Sequence, residues 1–144
     1  MTKLKYSLII FVIIFIAFAI YGYLNAIPGI EDSAEEYPKI EAAPESFDFG
    51  EIDYGQIAEH TFKIKNSGNE VLEIKRIATS CACTSAEIEK EILNPGEETN
   101  LFVKYDTGLM TGAHAKGNQE RIIYIKSNDP INPQIEITIK AYVK

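Results

Sequence analysis

The chain has 144 residues, a formal net charge of −7 and 46% hydrophobic residues, enough for one domain with a core. Its acidic balance and lack of a Lys/Arg cluster argue against binding to a nucleic-acid backbone, which needs cations to displace counterions. Six prolines, nine glycines and eight tyrosines without any tryptophan suit a small β-rich domain better than a helical bundle.

Residues 1–27 are set apart by hydropathy. Lys3 and Lys5 precede an uncharged run from Tyr6 to Leu24. As a helix rising 1.5 Å per residue, this run reaches roughly 28 Å, close to the hydrocarbon thickness of a bilayer. The Ala17-Phe18-Ala19 triplet matches a signal-cleavage site, but the apolar run continues past it through Tyr21 and Tyr23. The length therefore favours a single-pass transmembrane anchor over a cleaved signal. No cysteine follows the run to take a lipid. With lysines before it and carboxylates after it, the positive-inside rule puts the rest of the chain outside the cytoplasm, facing the periplasm or the cell exterior. Residues 28–45 contain Pro38 and Pro44, lack apolar periodicity and read as an acidic tether.

From residue 46 to 144 the apolar period is two. "HTFKIKN" puts Phe62 and Ile64 on one face, and "QIEITIKAYV" does the same for Ile135, Ile137, Ile139 and Ala141. Such alternation marks strands with one wet face. Further strands are expected at about 47–52, 71–79, 84–92, 98–105 and 120–127. "VLEIKRIA" slips phase between Ile74 and Ile77, which predicts a bulge. "NSGN" offers residues that tolerate positive φ, "NPGEE" sets Pro95 and Gly96 for a type II turn, and "SNDPINP" leads into the last strand. Seven short strands without a helical period predict a seven-stranded immunoglobulin-like sandwich. Adjacent cysteines and the absence of Trp remove the usual intersheet disulfide and its packed indole, so packing alone must hold the core.

The order "FDFGEIDYGQ", "FKIKNSGNEVLEIKRIATSCACT", "ILNPGEE", "YIKSNDPINP" resembles a widespread bacterial family of exported Ig-like domains of unknown function. That family is related to the Hydin-like and major-sperm-protein-like sandwiches. The resemblance covers about residues 44–144 and rests on an N-x-G turn, a Cys-x-Cys-Thr motif, a Pro-Gly turn and a Ser-Asn-Asp-Pro turn. Where the family usually has Gly between the cysteines, this chain has Ala82. The resemblance implies a fold and no activity, so function has to come from the site.

Cys81 and Cys83 are the only cysteines. In an extended strand their Cα atoms would lie about 6.6–6.8 Å apart, at the edge of what a disulfide spans. Closing the bond needs a tight turn and stabilises by only roughly 1.6 kcal/mol for so short a loop. A staple is therefore the weakest expectation. Redox work lacks the C-x-x-C spacing and helix N-terminus that lower a thiol pKa. Metal binding is the sharper alternative. The segment "DTGLMTGAHAKGNQ" should emerge at the same pole as the cysteines, so Cys81, Cys83, Met110 and His114 would form a soft set suited to copper as Cu(I), or less well to zinc. The plainest expectation remains two small side chains packed in the core. His60, with no evident partner, reads as a surface residue. No nucleophile elbow or phosphate loop is present, so no enzyme is expected. The expected function is a membrane-anchored binding or structural module with an unidentified protein partner, and the alternative is copper binding.

Overall fold

The computed structural model describes residues 12–23, 36–112 and 115–144. The chain divides into two units, Met1–Glu35 and Glu36–Lys144. In the first, residues 12–23 are helical and exposed. Among the described residues no helix is long and apolar enough to cross a membrane. The rest of the span expected at 6–24, namely 6–11 and 24, lies outside them.

The second unit is a two-sheet sandwich. Among the described residues it contains nine strands: β1 (Ile40–Ala43), β2 (Ser46–Ile52), β3 (Ile57–Asn66), β4 (Leu72–Thr79), β5 (Thr84–Ile88), β6 (Ile92–Leu93), β7 (Glu98–Asp106), β8 (Gly117–Ser127) and β9 (Gln134–Val143). One sheet has the order β1-β3-β7-β5, the other β2-β9-β8-β4-β6. All pairings are antiparallel except β2 with β9.

Period-two patterning decides the core. Phe62 and Ile64 of β3, Leu101 and Val103 of β7, Ile123 and Ile125 of β8, and Ile137 and Ile139 of β9 are buried between the sheets. Each such side chain contributes about 1.5–3 kcal/mol by leaving water. The slip expected in β4 is present, as a register shift against β8 between Ile74 and Arg76. Glu97 N–H donates to the Asn94 carbonyl, and Gly96 at φ +78° takes the left-handed position of a Pro-Gly turn.

Three expectations need correction. The seven strands become nine because the stretch expected at 84–92 divides, β5 joining one sheet and β6 the other, and because β1 is added ahead of them. The sandwich begins before residue 46: β1 lies within the expected tether, pairing Ile40 with Asn66 and Ala43 with Lys63. Pro38 and the short apolar stretch hid it, because a four-residue strand shows too few alternations to read. Gly68 of "NSGN" is not at positive φ. A Cβ there would lie 2.3 Å from the Tyr37 carbonyl oxygen and 2.5 Å from Lys39 N, so glycine is required by the close approach of residues 37–39.

Candidate functional site

At one pole the sandwich is closed by the "NSGN", "NPGEE" and "SNDPINP" turns. Asn66 ends β3, is fully buried and satisfies its whole amide. Its Oδ1 accepts from Gly68 N–H (3.0 Å) and Lys39 N–H (3.3 Å), while its Nδ2 donates to the carbonyls of Glu70 (2.7 Å) and Leu93 (3.0 Å). Asp129 is equally buried and accepts from the backbone N–H groups of Ile40 (3.0 Å), Ile131 (2.8 Å) and Asn132 (2.9 Å). Asn128 holds the start of β4, accepting from Glu73 N–H and donating to the Val71 carbonyl. These motif residues bind the chain's own backbone.

The cysteines lie at the other pole. β4 ends at Thr79, the chain turns, and β5 begins at Thr84. Thr84 N–H donates to the Cys81 carbonyl (3.0 Å), and Thr79 Oγ1 donates to the carbonyls of Cys81 and Thr84. This turn brings the two Cα atoms to 5.1 Å and the sulfurs are joined. The expectation of two packed free thiols, with a staple as the weakest outcome, is therefore corrected. The turn shortens the strand spacing into the ordinary range of disulfide spans. Cys83 is buried with 3% exposure, whereas Cys81 is only partly buried at the edge of the core.

The segment after β7 does reach this pole. Asp106 N–H donates to the Cys83 carbonyl (2.8 Å), and the short 3-10 turn Thr107–Leu109 leads to Met110. Met110 is buried, its carbonyl accepts from the Tyr54 hydroxyl (2.8 Å), and its sulfur accepts from the Tyr105 hydroxyl (3.2 Å). Burial pushes the Tyr105 phenol up, partly opposed by the charge of Arg121, so the hydroxyl keeps its proton and donates.

Arg121 is the residue that sequence reasoning missed. Its Nε donates to Cys83 Sγ at 3.3 Å and its Nη2 to Met110 Sδ at 3.1 Å. Nη2 also donates to Gln119 Oε1 (2.6 Å) and Nη1 to the Glu120 carbonyl (2.7 Å), while the guanidinium carbon lies 5.8 Å from the Tyr105 ring centre. No carboxylate forms an ion pair with Arg121 among the described residues. A signal existed: Arg121 shares the inward phase of β8 with Gln119, Ile123, Ile125 and Ser127. A charge on the apolar phase of a strand asks for a partner.

The soft-metal set is not assembled in this form of the protein. Cys81 and Cys83 are bonded to each other and offer no thiolate, Met110 turns its sulfur to Arg121 and Tyr105, and His114 lies outside the described residues. Among the described residues no group of three or more His, Cys, Asp or Glu side chains is arranged to hold a metal. His60 also differs from expectation. It faces inward from β3, stacked on Phe47 at 3.6 Å and edge-on to Phe62 at 4.6 Å. Its Nε2 is buried without a hydrogen-bond partner, and burial holds its pKa below the ordinary value.

Comparison with known proteins agrees with this architecture. The family described as "Protein of unknown function (DUF1573)" matches residues 40–143. None of the curated proteins matches the chain. A protein of unknown function from Porphyromonas gingivalis W83 is 25% identical with a TM-score of 0.67 over 81% of this chain, which spans only 51% of that protein. The ASH/PapD-like domain of human CEP192 is 9% identical with a TM-score of 0.58, covering 76% of this chain and 87% of that one. SSP-19, an MSP-domain protein-like family member of Caenorhabditis elegans, is 14% identical with a TM-score of 0.51, over 70% of this chain and 97% of its own. The last two likenesses concern the fold alone.

Proposed function

We propose, for a chain that belongs to the DUF1573 family, a non-catalytic role as a membrane-anchored binding or structural module. Residues 6–24 are its single-pass anchor, and the sandwich faces the periplasm or the cell exterior. An acidic segment between them keeps the domain off the anionic membrane surface by charge repulsion. Its partner is a protein, not a nucleic acid, in keeping with the net charge of −7.

One observation carries this reading. The polar side chains of the turn motifs are occupied by internal backbone groups, whereas β1, β5, β2 and β6 each pair on one side only among the described residues. Sheet edges and the loops beside them are where such sandwiches engage partners, through backbone hydrogen bonds and side-chain pockets.

Fractionation of cells expressing the full chain tests the placement. The protein is expected to remain in carbonate-washed membranes, and protease added outside spheroplasts should remove the sandwich. Recovery in the soluble fraction, or protection from the external protease, overturns it.

A further inference from the structure

We propose that Cys81–Cys83 is a thiol–disulfide exchange site that takes electrons from an external dithiol, with Cys81 as the sulfur attacked and Arg121 as the group that receives the departing Cys83 thiolate. This goes beyond a binding role and does not depend on the anchor.

The geometry distinguishes the two sulfurs. Cys81 sits in an exposed turn between Ser80 and Ala82 and is partly open, while Cys83 is buried beneath it. An incoming thiolate must approach along the axis of the sulfur–sulfur bond, and the open sulfur is the one it can reach. The buried sulfur then leaves. A leaving sulfur is favoured when its negative charge is stabilised. Arg121 Nε already points its N–H at Cys83 Sγ from 3.3 Å, and no carboxylate ion pair offsets its charge among the described residues. Contacts to Met110 Sδ, Gln119 Oε1 and the Glu120 carbonyl fix the orientation of the guanidinium. A cation beside a sulfur is the arrangement that stabilises thiolate in the absence of a helix N-terminus. A disulfide with a purely structural role has no use for a cation, here partly buried, aimed at one of its sulfurs.

The reaction balances as two exchanges. One thiolate of the dithiol attacks Cys81 Sγ; the Cys81–Cys83 bond breaks and its electron pair leaves on Cys83 Sγ, facing Arg121. The second thiolate of the dithiol attacks the substrate sulfur of this mixed disulfide. The substrate leaves as its own disulfide, and Cys81 departs as a thiolate that takes a proton from water. Two electrons pass from the dithiol to the protein, and the reverse sequence reoxidises it.

The test uses the full chain in detergent micelles, with dithiothreitol as the dithiol and alkylation followed by mass analysis as the readout. Reduction of the folded wild-type protein is expected to be about tenfold faster than that of Arg121→Met. Arg121→Lys should recover part of the rate because it restores the charge, and circular dichroism checks that both variants fold. Thiolate ultraviolet absorbance of the reduced protein at neutral pH should fall in Arg121→Met. With glutathione disulfide as probe, Cys83→Ser should acquire glutathione on Cys81 at least tenfold faster than Cys81→Ser acquires it on Cys83. Equal reduction rates for wild type, Arg121→Met and Arg121→Lys overturn the proposal. So does a disulfide that dithiothreitol leaves intact in the folded chain, or preferential adduct formation on Cys83.

Discussion

The two poles of the sandwich both carry motif residues and use them differently. At the Asn66–Asp129 pole, the side-chain oxygens and nitrogens of Asn66 and Asp129 meet backbone groups. At the cysteine pole a guanidinium faces two sulfur atoms and an aromatic ring. Backbone-to-side-chain bonds close a fold, since each replaces a hydrogen bond to water that burial would otherwise remove. A cation on sulfur adds little to that closure but changes what the sulfur can do. Motif residues at the first pole therefore account for the architecture, and the second pole is where the proposed exchange chemistry lies.

Variants at each pole should separate in the same sense. The largest effect is expected from Asn66→Ala, which leaves the Gly68 and Lys39 N–H groups and the Leu93 carbonyl without their partner. A loss on the order of 3 kcal/mol in chemical denaturation is expected, because unsatisfied buried polar groups cost about 1–3 kcal/mol each. Gly68→Ala should add a local signature: its Cβ would meet the backbone of residues 37–39, so proteolysis should begin there and β1 should detach. If Asn66→Ala melts with the wild type, the closing role assigned to this pole is wrong.

At the other pole, replacing both cysteines with serine is expected to cost about 1.6 kcal/mol, since the closed loop is short. A loss larger than that of Asn66→Ala would reverse the comparison and make the disulfide the main staple. Before reduction, the full chain is expected to take up no stoichiometric Cu(I) in equilibrium dialysis, because both sulfurs are bonded. One tightly held equivalent in the oxidised protein would contradict this.

The smallest effect concerns His60, between the poles. Burial depresses its folded pKa below the ordinary 6.5, so the unfolded chain takes up the proton first as acid is added. The native state therefore keeps its full stability above pH 6.5 and loses some as pH falls from there toward the folded pKa. His60→Leu should remove that part of the acid sensitivity while leaving stability at neutral pH close to wild type. Parallel stability profiles for the two proteins between neutral and mildly acidic pH would contradict the buried, neutral imidazole.

Alternation along the chain determined which faces of β3, β7, β8 and β9 meet, because side-chain direction in a strand reverses at every residue and needs no distant partner. Local sequence also determined the Pro95-Gly96 turn and the irregularity in β4, both set within a few residues. The rest was decided by tertiary structure. β1 exists as a strand because β3 offers it an edge and because Asp129, 89 residues away, accepts from Ile40 N–H. Asn66 and Gly68 were legible as a turn, but their roles depend on residues 37–39 passing within contact distance. Closure of Cys81 onto Cys83 required the turn between β4 and β5, and the meaning of Arg121 required β8 to carry it beneath that turn. Contacts made by folding back on distant segments have no period for a sequence to display, so they become visible only when the sheets are assembled.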